Sequence, residues 1–121
     1  MKSTLKSRIA LMFILVCLTA LLFGGIVQAK TFNFYVVSHG GPGDSFWGVV
    51  MKGMKDAAAV INKGTDDTIN AVYSGPAKYS VEELVNMLNS AIATKPDGIV
   101  VTITDPAALD APLRKAIAAG I

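Results

Sequence analysis

From Thr31 onward the apolar positions alternate between two periods. Thr31 to Val37 (TFNFYVV) is aromatic and β-branched, which predicts a strand that the Gly/Pro cluster after it terminates. From Phe46 to Lys63, Trp47, Val50, Met54, Ala57 and Ile61 recur at helical spacing, while Lys52, Lys55, Asp56 and Lys63 avoid that stripe. This predicts an amphipathic helix with Gly64 as its C-cap. A polar turn at Thr65, Asp66 and Asp67 leads into a second strand, Thr68 to Ser74 (TINAVYS).

Ser80 and Glu83 have the spacing of a capping box, in which hydroxyl and carboxylate satisfy unpaired backbone N–H groups at a helix start. Val81, Leu84, Val85, Leu88 and Ile92 mark the buried face of the helix that follows. Pro96 sets its end near Thr94. Gly98 to Thr104 (GIVVTIT) has too few polar residues for a half-exposed strand, so it is expected at the sheet centre, buried on both faces. Pro106 suits the first turn of a third helix with an inward stripe of Leu109, Leu113, Ala116 and Ile117. Asp110 and Arg114 form an exposed i,i+4 pair. Gly120 caps this helix, and a fourth strand is expected to begin at Ile121.

The order βαβαβα predicts an α/β fold: the start of a doubly wound parallel sheet with right-handed crossovers, truncated before its fourth strand. Ligands in such sheets bind beyond the carboxyl ends of the strands. That places the segments Ser38 to Ser45, Gly75 to Tyr79 and Thr104 to Pro106 on one rim.

The N-terminus changes what the composition means. Lys2, Lys6 and Arg8 precede an unbroken apolar run from Ile9 to Phe23, and Val27-Gln28-Ala29 is a small-residue cleavage site of the A-x-A kind. Residues 1–29 therefore read as a secretory signal, cleaved after Ala29, leaving 30–121 as the mature, exported chain, which is not membrane-embedded. The formal net charge of +2 falls to −1 once those three basic residues are gone, because eight remain against nine acids. A nucleic-acid partner then has no electrostatic basis. Cys17 lies inside the apolar run, behind a valine too large for lipoprotein cleavage, so the mature chain has no cysteine and needs no disulfide.

The opening of the first helix, Ser38-His39-Gly40-Gly41-Pro42-Gly43-Asp44-Ser45-Phe46-Trp47, invites three chemical readings. HGGPG has the look of the oxyanion loop of some α/β-hydrolases, and GDS that of another esterase block. Neither finds a triad, since no G-x-S-x-G occurs and His39 is the only histidine. A phosphate cradle is disfavoured because the dinucleotide fingerprint and P-loop lysine are missing and Asp44 stands at the helix mouth. Metal binding lacks ligand spacing, and no cofactor is expected.

What remains is a pocket rim for an uncharged polar molecule. Phe46 and Trp47 can offer a flat apolar face to the C–H side of a sugar ring, and Asp44 and Asp105 can accept hydrogen bonds from paired hydroxyls. Plainer roles stand beside these. Trp47 falls on the core stripe; Asp44, Ser45 and Asp105 sit where helix caps belong; His39 can order its loop; Tyr79 is best placed as a hydrophobic staple before Ser80.

The segments "SHGGPGDSFWGVVMKGMKDAA" and "YSVEELVNMLNSAIATKPDGIVVTITDPAALDAPLRKAIAAGI", with the exported N-terminus, resemble the first half of the amino-terminal lobe of periplasmic sugar-binding proteins of ABC transporters, the type I periplasmic binding protein fold. The combination F-W-x-x-V-x-x-G, K-P-D-G-I and D-P-x-A-L carries the resemblance. It implies a non-enzymatic protein that binds a monosaccharide or similar small polar ligand and docks on a membrane permease. Ligand contacts would come from the loops after the first and third strands, here Ser38, His39, Asp44, Phe46, Trp47, Thr104 and Asp105. Members of the family have a second lobe, and "GIPVI" would normally lead into the fourth strand. The sequence therefore reads as part of one lobe, expected to bind sugar weakly or not at all by itself. Two other classes fit the pattern: an exported hydrolase fragment, and a sugar-sensing module for a membrane kinase.

Overall fold

The computed structural model describes residues 28–121, together with Ile9 and Met12. Apart from those two positions, the expected signal run to Phe23 lies outside the described residues, as does Cys17. Six elements follow in order: β1 (Thr31–Val37), α1 (Ser45–Gly64), β2 (Thr68–Ser74), α2 (Val81–Ala93), β3 (Gly98–Val101) and α3 (Pro106–Ala118). The strands form one parallel sheet in the order β2-β1-β3. Thr31 pairs with Thr68 at one end of the β1–β2 ladder and Val37 with Ser74 at the other; Phe34 pairs with Gly98 where β3 begins. All three strands run the same way, so their carboxyl ends share one margin.

The centre of this sheet is β1, not β3. The expectation for GIVVTIT is corrected by its pairing: β3 hydrogen-bonds to β1 alone, and Val100 and Ile103 are 61% and 58% exposed. A continuous apolar run records affinity for neighbours on both faces, not the number of strands that flank it. The strand also stops early, at Val101, although Thr102 N still donates to Val37 O at 3.1 Å.

One face of the sheet holds the core. Tyr35 and Val37 of β1 and Ile99 and Val101 of β3 alternate toward α2 and α3, where Leu84, Leu88, Ala91, Ile92, Leu109 and Ala116 are buried. The spacing of Leu84, Leu88, Ala91 and Ile92 is that of a single helical stripe. On α3 the stripe is Leu109, Pro112 and Ala116, with Leu113 half-buried. Ile117, expected inside, is 73% exposed.

The other face carries α1, which packs along β2 and buries none of its residues completely. Trp47, Val50 and Met54 are half-buried as expected, but Ala57 and Ile61 are exposed, and Met51 and Ala58 take their place. The stripe is rotated because α1 rests on β2 rather than on the middle of the sheet. Asn62 fixes its far end, accepting from Ile69 N at 2.6 Å and donating to Ile69 O at 3.2 Å.

The starts of α1, α2 and α3 are each capped. Asp44 accepts from Phe46 N and Trp47 N, Ser80 from Glu83 N, and Asp105 from Ala108 N. Gly64 is the last helical residue of α1 and not its C-cap; that position is Thr65, in extended backbone, whose N–H and hydroxyl both reach Ile61 O. Gly120 does adopt the left-handed conformation, with φ of 80°. Lys95 adopts it too, at φ 51°, because the chain must leave α2 within one residue of Pro96. Asp110 and Arg114 pair at 2.8 Å on the exposed side of α3. The guanidinium's hydrogen bond holds the Asp110 carboxyl below its ordinary value. The pair's contribution is therefore present above the ordinary carboxylate range and fades as pH falls through the lowered value; with both ends in water it is small.

Two substitutions test this packing by urea denaturation. Leu88→Ala is expected to cost about 2–5 kcal/mol, since the side chain is completely buried between α2 and the sheet. Lys95→Gly is expected to raise stability by up to about 1 kcal/mol by removing left-handed strain from a residue with a Cβ.

Candidate functional site

The carboxyl margin of the sheet is built by backbones in direct contact. A Cβ on Gly75 would lie 1.9 Å from Gly40 O, and one on Gly41 would lie 2.3 Å from Pro76 O. Only glycine permits the loops after β1 and β2 to touch this way. Beneath them Ser38 is completely buried. Its hydroxyl bonds to the Tyr73 hydroxyl, and both lie 2.7 Å from Gly40 O. Ser38 N donates to Ser74 O at 2.9 Å, and Gly40 N to Ser38 Oγ at 3.2 Å. Ser38 thus orders the loop from below.

The loop after β3 joins through side chains. Thr102 Oγ1 accepts from His39 N at 3.0 Å and lies 3.0 Å from His39 Nδ1, and the Tyr79 hydroxyl donates to Thr104 Oγ1 at 2.8 Å. A row of rings runs along the rim. Phe46 and His39 each meet Trp47 edge-on, with centroids 5.1 Å apart, and Tyr79 meets the other side of His39 at 5.9 Å. Tyr73 supports Trp47 at 6.3 Å. A Cβ on Gly40 would stand 1.9 Å from the indole, so that glycine makes room for the ring.

These groups enclose a cavity of about 270 Å³ lined by His39, Gly40, Gly41, Gly43, Asp44, Trp47, Pro76, Ala77 and Tyr79. Of the residues expected from sequence, His39, Asp44 and Trp47 line it. Phe46 stands beside it, 65% exposed, against Trp47. Thr104 is reached through Tyr79, and Asp105 is half-buried at the start of α3. Tyr79, expected as a staple, has its ring against His39 and its hydroxyl on Thr104, and so ties the second loop to both. Tyr73 and Thr102 are rim residues that sequence reasoning missed, whereas Gly75 falls in a segment it placed there. Tyr73 and Thr102 sit within or at the end of runs that read as strand, so their hydroxyls drew no attention.

Capping and ligand binding do not compete for Asp44 and Asp105. In each, Oδ1 takes the helix N–H groups, while Oδ2 has no hydrogen-bond partner among the described residues. A carboxylate has acceptor sites to spare. The same caps argue against an anion: the N–H groups of Phe46 and Trp47 that would meet a phosphate are already bound to Asp44. The N–H groups of His39, Gly40 and Asp44 all bond within the rim, so these three are not free to serve as oxyanion donors. His39 faces a threonine already bonded to its own backbone, with no third group to complete a triad.

Trp47 is the chain's only tryptophan, so its emission reports the rim. Gly40→Ala is expected to displace the indole and shift both fluorescence and near-ultraviolet circular dichroism, whereas Gly43→Ala, where a Cβ meets open space, is expected to change neither.

Comparison with known proteins agrees with this architecture. No curated protein matches the chain. Among solved structures, a periplasmic sugar-binding protein of an ABC sugar transporter from Legionella pneumophila is 28% identical with a TM-score of 0.62, covering 74% of this chain and 31% of its own. An ABC transporter solute-binding protein from Agrobacterium vitis, bound to α-D-tagatopyranose, is 31% identical with a TM-score of 0.64, covering 74% and 28%. A carbohydrate transporter from Acidothermus cellulolyticus 11B, in complex with myo-inositol, is 32% identical with a TM-score of 0.59, covering 75% and 29%. The chain thus spans about three tenths of the length of these structures. These relatives are binding proteins rather than enzymes. The periplasmic binding protein domain model matches residues 34–121, which takes in the whole rim and all but the first strand residues: the chain belongs to the periplasmic binding protein family, with the type I fold.

Proposed function

We propose that the rim is one wall of a binding site for a neutral monosaccharide or related polyol, in a periplasmic solute-binding protein that delivers its ligand to the permease of an ABC transporter. In this reading residues 1–29 are an export signal cleaved after Ala29, and 30–121 belong to the amino-terminal lobe. The protein binds and releases its ligand unchanged. The observation that carries the proposal is the composition of the cavity: an indole, an imidazole and a phenol around a single carboxylate, with no cation. Ring faces suit the C–H surface of a pyranose, and the unpaired Oδ2 of Asp44 suits its hydroxyls. The tagatopyranose and myo-inositol in the related structures are neutral polyols of this kind.

One wall cannot bury most of a ligand, so the affinity of this chain alone is expected to be weak. Amide chemical-shift mapping with neutral hexoses, pentoses and inositol tests the reading. Resonances of Gly40 to Trp47 and of Tyr79 are expected to move progressively at millimolar concentration, and sugar phosphates are expected to leave them in place. Movement with the phosphates alone, or only at residues remote from the rim, would sink the proposal.

A further inference from the structure

The polar atom best prepared on this rim is one that the fold sets indirectly. Among the described residues Thr102 Oγ1 has two hydrogen-bond partners, both on His39: the backbone N–H, at 3.0 Å, and Nδ1, also at 3.0 Å. The first is necessarily a donor to the hydroxyl. The hydroxyl proton then has one protein acceptor within reach, Nδ1, and a neutral imidazole that accepts at Nδ1 carries its hydrogen on Nε2. The opposite tautomer would point two donors at one oxygen and leave the hydroxyl proton with no protein acceptor.

We infer that Thr102 is a positioning residue that locks the lone histidine as its Nε2–H tautomer, so that His39 presents a hydrogen-bond donor to the cavity it lines. Turning the ring over would replace Nδ1 by a carbon against the Thr102 hydroxyl and lose that contact. Trp47 meets the imidazole edge-on at 5.1 Å and Tyr79 at 5.9 Å, with interplanar angles of 83° and 82°. Tyr79 is itself held by Thr104. Nε2 has no hydrogen-bond partner among the described residues. The cavity therefore offers a donor at His39, whose ring is held by the Thr102 hydroxyl, and an acceptor at Asp44 Oδ2, whose carboxylate is held by the Phe46 N–H. Such a pair selects a ligand that accepts at one position and donates at another, as vicinal hydroxyls or a ring oxygen beside a hydroxyl do. Specificity at this wall is then set by a threonine that does not line the cavity. The ligand half of this inference rests on the sugar-site reading; the tautomer half does not.

The histidine is unique in the chain, so imidazole nitrogen resonances need no assignment. Long-range ¹H–¹⁵N spectra of the full chain, ¹⁵N-labelled at histidine and recorded in mildly alkaline buffer, are expected to show the Nε2–H form. Thr102→Val, which keeps the shape and removes the hydroxyl, is expected to give a mixture of tautomers, and Thr102→Ser to restore the single form. A wild-type spectrum of the Nδ1–H form, or a Thr102→Val spectrum identical to wild type, overturns the inference. If Thr102→Val fails to fold, Thr102→Ala carries the same test: a mixture of tautomers is expected, and a spectrum identical to wild type overturns the inference. For the ligand half, Thr102→Val is expected to weaken binding of the best neutral sugar about fivefold, the worth of one hydrogen bond, with recovery in Thr102→Ser. Equal affinity in Thr102→Val overturns the positioning role. A locked tautomer in a chain whose rim meets no sugar overturns the sugar-site reading and the ligand half with it.

Discussion

The rim depends on one carbonyl. Gly40 O receives the loop after β2 as close backbone contact from Gly75 and lies within hydrogen-bond distance of both the Ser38 and Tyr73 hydroxyls. That meeting point fixes the first loop from below and from the side. With Gly40 held there, Trp47 has a single place to lie, over a residue that has no Cβ to obstruct it. The ring row and the cavity that Trp47 lines are built on that placement.

A second economy lies in the caps. The helix starts that must be capped are the starts that face the rim, because in a parallel α/β unit each helix begins where a strand has just ended. Asp44 and Asp105 therefore serve the helices with one oxygen and stay available with the other. Each cap thus leaves its carboxylate an acceptor oxygen to spare. The arrangement also has a chemical bias: carboxylates at helix mouths satisfy the N–H groups that would otherwise attract anions, so the rim suits neutral partners.

Much of this was legible from local pattern. The bounds of β1, β2 and α2 follow from side-chain period, from Ser80 and from Pro96, because each is decided within a few residues by propensity and capping. The alternation of strand and helix placed the three loops on one edge. What local pattern could not reveal was set by distant partners. The exposed Val100 and Ile103 read as the interior of a central strand, since an apolar run does not say which neighbours are present. The stripe of α1 was misplaced toward Ala57 and Ile61 because the helix rests on β2 and is turned by Asn62, a polar residue whose only signal is a bond seven positions away. Tyr79 and Thr102 looked structural because their roles depend on hydroxyls meeting Thr104 and His39 across the loops. Gly40 and Gly75 announced a turn, but their mutual contact has no sequence signature.

The central claim is that segments far apart in the chain converge to present rings and carboxylates to one neutral polyol. Intermolecular nuclear Overhauser contacts to an added pyranose test it most directly. The account predicts cross-peaks from the pyranose C–H protons to both the Trp47 indole and the Tyr79 ring. Contacts confined to one isolated side chain, or to a surface away from this margin, would contradict it.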